Sequence, residues 1–125
     1  MSLSQTLEIT DARAVLETES AAIKQAAERL DANFVRAVEI LDVPDGKIVV
    51  AGLGKSGHVG RKIAATFCST GSPAVFMHAA EAVHGDLGVH QPGNPTIFLS
   101  NSGSTSELLA LVPILRNRCS SLVGI

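Results

Sequence analysis

Short apolar runs alternate with longer segments of helical periodicity along most of this chain. The runs fall at residues 47–52, 74–77, 96–99 and 121–125. They lack the apolar–polar alternation of half-exposed strands, and are typical of strands buried on both faces. Helical spacing predicts helices after the first and third runs, and a small helical stretch within residues 78–93. The pattern therefore predicts an α/β fold, with a parallel sheet covered by helices on both faces.

The first third of the chain predicts helices rather than strands. Apolar residues recur at helical spacing through residues 9–42, with Thr10 or Asp11 as the expected cap and a break or bend at residues 31–33. The α/β core is expected from about residue 46, within one domain spanning residues 1–125. An open parallel sheet normally continues into a covering helix. Because the fourth strand ends at Ile125, we expect the chain to be an incomplete domain, truncated after that strand.

Composition narrows the classes of partner. Hydrophobic residues make up 46% of the chain, charged residues 18%, and the net charge is −2 with a pI near 6.0. This balance favours a well-packed core and argues against nucleic acid as a partner. No run of about 18 apolar residues predicts a membrane span, so a cytoplasmic protein is expected. Cys68 and Cys119 are predicted to be reduced, buried thiols.

Two small-residue loops follow predicted strands. Residues 52–57 (GLGKSG) come after the first strand, and residues 100–105 (SNSGST) come after the third. In open parallel sheets, ligands bind outside the carboxyl ends of the strands. The two loops are therefore expected to face one crevice, and this coincidence indicates a ligand site.

The first loop resembles three phosphate-binding or turn motifs, none decisive alone. A P-loop would require glycine at the position of Val49. Gly52, Gly54 and Gly57 match the dinucleotide fingerprint, but the second strand ends at His78 rather than at an acidic residue. A tight strand-to-helix turn without ligand is the third alternative.

The second loop is more specific, because hydroxyl side chains crowd around Gly103 at a predicted helix start. Helix N-terminal amides favour an anion, and neutral hydroxyl donors suit a single phosphate monoester. The alternative is a capping box formed by Ser104 and Glu107. The hydroxyl residues are Ser100, Ser102, Ser104, Thr105 and Ser106.

Residues 100–105 resemble the Ser-x-Ser-Gly-x-Thr signature of sugar isomerase (SIS) domains, and residues 52–62, 64–73 and 81–88 are similar to runs in arabinose 5-phosphate isomerases. The resemblance implies a doubly wound, flavodoxin-like sheet of five parallel strands in a homotetramer. No cofactor is predicted. It also implies interconversion of ribulose 5-phosphate and arabinose 5-phosphate, which feeds Kdo synthesis for lipopolysaccharide or capsule. The bound partner would be a small phosphosugar.

The same resemblance implies roles for individual residues. Lys55, His84 and Glu107 match active-site positions, and aldose–ketose isomerisation through an enediol requires a base and a group that stabilises an oxyanion. Ser104 departs from the family, which usually carries Glu there, and further active-site Glu and His residues of the family would lie beyond Ile125. The positions that match phosphate contacts are Ser56, Ser100, Asn101, Ser102, Gly103 and Thr105.

The remaining polar residues receive less specific interpretations. His58 either lines the pocket or caps the helix after the glycine loop. His78 and His90 are predicted to be loop or surface residues. Arg61 is expected to serve subunit contacts or solvent, with phosphate as the alternative. His84 and Asp86 could begin a metal site, but no cluster completes it, so no metal is predicted.

Two other functions compete with the isomerase. A non-catalytic phosphosugar sensor would use the same loops, although such regulators usually carry a helix-turn-helix that residues 1–40 are too short and too evenly amphipathic to form. A dinucleotide-binding domain rests on the glycine fingerprint alone.

Overall fold

The computed structural model describes residues 3–125, with side chains from residue 6 onwards. These residues form two compact units, which meet in sequence between residues 36 and 37. The first helix, α1, spans Leu3–Glu28 and begins before the predicted cap. The Thr10 hydroxyl donates to the carbonyl of Thr6 at 2.9 Å inside the helix, so Thr10 does not cap it. Helix α2 spans Ala32–Leu41. The Asn33 amide donates to Asp31 Oδ1 at 2.8 Å, which confirms the predicted break.

Four parallel strands form one sheet, as the apolar runs predict. They are β1 (Ile48–Gly52), β2 (Ala74–His78), β3 (Thr96–Leu99) and β4 (Leu122–Gly124). Their order is β2-β1-β3-β4, and every pairing is parallel. The chain therefore leaves β1 towards one side of the sheet and returns to its other side for β3. This reversal places a topological switch point between β1 and β3.

Helices cover both faces of the sheet. They are α3 (Gly54–Ser69), α4 (Ala79–Ala82) and α5 (Ser106–Asn117), with a 3₁₀ helix at Asp86–Val89. Side chains of β1 alternate between two clusters: Val49 packs with Leu111 and Leu115 of α5, whereas Val50 packs with Ala64 of α3. Each fully buried leucine contributes about 1.5–3 kcal/mol. The doubly wound α/β fold is thus confirmed.

Helix α5 continues through Pro113, which the sequence presents as an objection to a continuous helix. Proline removes the hydrogen bond that its amide would donate to the carbonyl four residues earlier. Pro113 and Leu109 are both exposed, so the lost bond falls on the solvent side of the helix.

His90 is wholly buried, which corrects the surface prediction. Its Nε2 lies 3.0 Å from the carbonyl oxygen of Asn94, and Arg118 Nε donates to its Nδ1 at 3.3 Å. Burial is possible because both ring nitrogens have partners. His78 is half-buried at the end of β2 rather than in a loop, because its backbone pairs with Gly52.

Both cysteines are free but exposed, so the predicted burial of the thiols is wrong. Cys68 lies on the last turn of α3, where its Sγ donates to the carbonyl of Ala74 at 3.1 Å. Cys119 lies in the surface turn after α5 with φ 58°, the left-handed conformation common at helix ends.

Over the described part of the chain, no helix combines the length and apolarity that crossing a membrane requires.

Candidate functional site

The two loops start side by side at one edge of the sheet. Gly52, the last residue of β1, pairs with Leu99, the last residue of β3. The glycine-rich loop and the serine-rich loop therefore leave adjacent strands at the switch point. The start of the serine loop is held further by the Ser100 amide, which donates to the carbonyl of Ile125 at 3.0 Å. The two loops thus begin next to each other at the carboxyl edge of the sheet, as the sequence predicts.

The glycine loop turns sharply from β1 into α3. Gly54 has φ 56°, a conformation that side chains disfavour. A Cβ on Gly52 would lie 3.1 Å from the carbonyl oxygen of Ser56 and from the amide nitrogen of Gly57, so the strand end and the helix start are in close contact. The first turn of α3 carries an exposed Lys55 and a half-buried Ser56.

No side chain caps the N-terminus of α3. The first amides of a helix have no carbonyl partner within it, and they carry the positive end of the helix dipole. These donors are therefore available to an anion. The alternative in which exposed His58 caps this helix is not what the structure shows.

The serine loop is organised by hydroxyl groups around Gly103, which has φ 66°. The Gly103 amide donates to Ser100 Oγ at 3.0 Å, and Ser100 Oγ lies 3.0 Å from Thr105 Oγ1. Each hydroxyl has one proton, and whichever of the two donates to the other, one proton of the pair remains for an outside acceptor. The pair therefore offers a donor to a ligand, while Asn101 and Ser102 are exposed beside it.

Glu107 is exposed on the first turn of α5, close behind the serine loop. Its own backbone amide and the Ser106 hydroxyl, 2.9 Å from Oε2, both donate to the carboxylate and hold its pKa below the usual value. Thr105 is the N-cap residue, without a side-chain cap, so the alternative of a capping box formed by Ser104 and Glu107 is not what the structure shows. Glu107 is thus an exposed carboxylate that is ionised at neutral pH.

His84 follows α4, which packs against α5 on one face of the sheet. It lies exposed in the turn after α4, and its amide donates to the carbonyl of Glu81 at 2.9 Å. Ala82 of α4 and Leu108 of α5 belong to the same buried cluster. Because His84 and Glu107 are near neighbours of these two residues in the chain, the α4–α5 contact brings both towards one side of the sheet.

Arg61 is exposed on α3 and contacts an aromatic ring of β2. Its guanidinium carbon is 4.4 Å from the centroid of the Phe76 ring, a cation–π contact against β2. This contact holds the guanidinium against the sheet, and the predicted roles of Arg61 in subunit contacts or phosphate binding stay predictions.

The hydrogen bonds of two hydroxyl residues in the serine loop were not foreseen from the sequence. Ser104 donates from its amide and its hydroxyl to Ser102 Oγ, at 3.2 and 3.1 Å, and Ser106 donates to Glu107. The run of hydroxyl residues was visible in the sequence. The pairing within it depends on the φ of Gly103 and on where α5 begins, which residue types alone do not specify.

Comparison with known proteins gives relatives over nearly the whole chain. The family model described as the SIS domain matches residues 41–125. The chain is 43% identical to arabinose 5-phosphate isomerase KdsD of Pseudomonas aeruginosa, over 99% of this chain and 38% of that protein. It is 48% identical to KdsD of Escherichia coli K12 over 102 residues, 82% of this chain and 31% of that protein.

A solved structure has a similar fold. It is described as E. coli CFT073 c3406 in complex with arabinose 5-phosphate, and it superposes with a TM-score of 0.88 at 36% identity, over 99% of this chain and 65% of that one. The chain thus spans well under half the length of the two curated relatives. Since the family model covers most of the chain, including both loops, this protein belongs to the SIS domain family.

Proposed function

We propose that this chain carries the phosphosugar-binding part of an aldose–ketose isomerase that interconverts D-ribulose 5-phosphate and D-arabinose 5-phosphate. The observation that carries the proposal is the pair of donor-rich loops on adjacent strands, with the ionised carboxylate of Glu107 immediately behind one of them. The relatives with that activity, and the relative bound to arabinose 5-phosphate, support the choice of substrate.

The phosphate group would lie between the two loops. Ser56 and the amides at the start of α3 would contact it from one side, and Ser100, Asn101, Ser102, Gly103 and Thr105 from the other. Uncapped helix starts and neutral hydroxyls suit a phosphate monoester, because they donate without adding a counter-ion that would have to be desolvated.

The reaction would move one proton between adjacent carbons. A base removes the C1 proton of the ketose, and the electron pair left behind forms an enediolate whose negative charge lies on the former carbonyl oxygen. Protonation at C2, with transfer of the O1 proton to O2, then gives the aldose. Glu107 is suited to act as the base, Lys55 to stabilise the oxyanion, and His84 to carry the proton between oxygens.

The test uses the protein produced from its own gene, incubated with ribulose 5-phosphate in D₂O and followed by NMR. We expect arabinose 5-phosphate with carbon-bound deuterium at C2. Glu107→Gln keeps the size of the side chain but removes the base, and should lower kcat by roughly 100-fold or more. Glu39→Gln changes an exposed carboxylate on α2 and is the matched control.

The outcomes separate the competing functions. Tight binding of the phosphosugar without any turnover would contradict the isomerase and favour a non-catalytic phosphosugar-binding role. Full activity in Glu107→Gln would keep the isomerase but remove Glu107 as its base.

We also propose that the protein acts as a homo-oligomer, a tetramer by resemblance to its family. Helix α1 supports this, because Ile9, Leu16 and Ile23 recur every seven residues and are 45%, 66% and 72% exposed. Seven residues are close to two helical turns, so these side chains form one stripe suited to helix–helix packing. A monomer in sedimentation velocity at micromolar concentration would contradict this proposal.

A further inference from the structure

Ser104 makes two hydrogen bonds to the same atom of the serine loop. Its amide and its hydroxyl donate to Ser102 Oγ at 3.2 and 3.1 Å. Ser102 and Ser104 are both exposed, so these bonds do not serve to satisfy buried groups. The resemblance to known families leaves Ser104 without a role, since it stands where a different residue type is usual.

The two bonds determine where the proton of Ser102 points. A hydroxyl oxygen has two lone pairs and one proton. Both lone pairs of Ser102 Oγ are engaged by donors from Ser104. The remaining valence is the O–H bond, which is directed away from Ser104. Ser102 therefore has only a donor to offer to a ligand.

We propose that Ser104 is a positioning residue that turns the Ser102 hydroxyl into a dedicated donor towards a bound phosphate. This inference rests on the proposed phosphosugar function, and it concerns binding rather than the isomerisation step. A phosphate dianion only accepts hydrogen bonds at neutral pH, so a hydroxyl already oriented as a donor avoids the cost of reorganising when the ligand arrives.

Removing one of the two donors should release this orientation. In Ser104→Ala the amide bond remains, but one lone pair of Ser102 becomes free and the hydroxyl can rotate. Ser104→Thr retains a hydroxyl at the same position, and its added methyl group falls on an exposed residue. The alanine variant should therefore weaken phosphate binding, and the threonine variant should restore most of it.

The experiment measures dissociation constants for arabinose 5-phosphate and for inorganic phosphate by calorimetry on the protein from its own gene. We expect Ser104→Ala to weaken both by about fivefold, the scale of one oriented hydrogen bond, and Ser104→Thr to lie within about twofold of the original protein. Ser69→Ala is the matched control, since Ser69 is an exposed serine that donates to the carbonyl of Thr66 on α3. Circular dichroism checks that each variant is folded.

Each outcome has a distinct meaning. Unchanged affinity in Ser104→Ala overturns the inference, as does an equal loss in the threonine variant, because a general disturbance of the loop would then be the cause. A protein that binds neither ligand overturns both this inference and the phosphosugar function. If Ser104→Ala loses affinity and Ser104→Thr restores it, but the protein has no isomerase activity, the inference is supported and the isomerase function is contradicted.

Discussion

At the scale of single residues, Glu107 shows how neighbouring donors set the charge of an exposed side chain. The carboxylate accepts from its own backbone amide first and from the Ser106 hydroxyl second, and both stabilise the ionised form. Its folded pKa lies below the ordinary value of 4.5. Any stability that it contributes is therefore present above about pH 4.5 and is lost as the pH falls through the folded pKa.

We predict that Ser106→Ala raises the pKa of Glu107 towards its ordinary value. The substitution removes the hydroxyl 2.9 Å from Oε2 but leaves the backbone amide, which is the larger cause, so part of the depression should remain. A pH titration of the Glu107 carboxyl carbon by NMR measures the shift directly. Ser69→Ala serves as the control, and a Glu107 titration that is identical in all three proteins would show that the hydroxyl has no effect.

At the scale of elements, helix α3 lies unusually close to the sheet at Gly60. A Cβ at this position would lie 3.0 Å from Phe76 Cε2 and 3.3 Å from Leu99 Cδ1. The Phe76 ring cannot retreat freely, because the guanidinium of Arg61 lies over it. The missing side chain therefore lets α3 pack against β2 and β3, and this contact sets the position of the glycine loop at the N-terminus of the helix.

We predict that Gly60→Ala destabilises the protein by about 1–3 kcal/mol, the cost of overpacking. The sign of this change in stability is informative, because alanine in a helix interior normally stabilises by about 0.5–1 kcal/mol relative to glycine. Urea unfolding measures the change. Gly88→Ala is the matched control, since a Cβ there would meet open space. A gain in stability for Gly60→Ala would mean that the helix and sheet separate without cost.

Elements were predictable where one pattern dominates. Residues 48–52 are buried throughout, and a short run of apolar residues fits a central strand covered on both faces. The sequence therefore predicts β1 and the parallel sheet. The position of the two loops at one edge of the sheet was predictable for the same reason, since they follow such strands. The burial of His90 could not be predicted, because it depends on Arg118, which lies 28 residues later in the chain. The bonds within the serine loop were also hidden, since several hydroxyls compete for the same acceptors.

At the scale of the whole α/β unit, the two ends of the sheet differ in chemistry. The carboxyl edge carries the exposed loops, whereas a buried polar cluster joins the segments that enter β3 and β4. Ser120 Oγ donates to the carbonyl of Asn94 at 2.6 Å and lies 3.0 Å from Thr96 Oγ1. Arg118 Nη2 donates to the carbonyl of His90, also at 2.6 Å. These bonds fix the strand starts at the end of the sheet opposite the two loops.

The cluster also determines the protonation of His90. A guanidinium is always charged and only donates, so His90 Nδ1 must accept from Arg118 and the ring is neutral, with its proton on Nε2 facing the Asn94 carbonyl. Burial lowers the pKa of His90 below 6.5, the positive charges of Arg118 and Lys47 lower it further, and the hydrogen bond to Asn94 offsets part of this effect. The unfolded chain therefore binds the proton at a higher pH than the folded protein.

This difference predicts an acid-dependent loss of stability that depends on Arg118. His90 favours folding fully above about pH 6.5, and that contribution falls as the pH drops towards the lowered folded pKa. Arg118→Met removes one opposing charge and the Nδ1 donor, so it should lower stability at neutral pH but make the decline below pH 6.5 shallower, with burial still acting. Urea unfolding between about pH 8 and pH 5 measures both effects.

Arg116→Met is the control, because it removes the same charge from an exposed position on the last turn of α5. It should keep the original dependence of the unfolding free energy on pH. If the two variants showed the same slope, the decline would come from net charge rather than from the contact between Arg118 and His90.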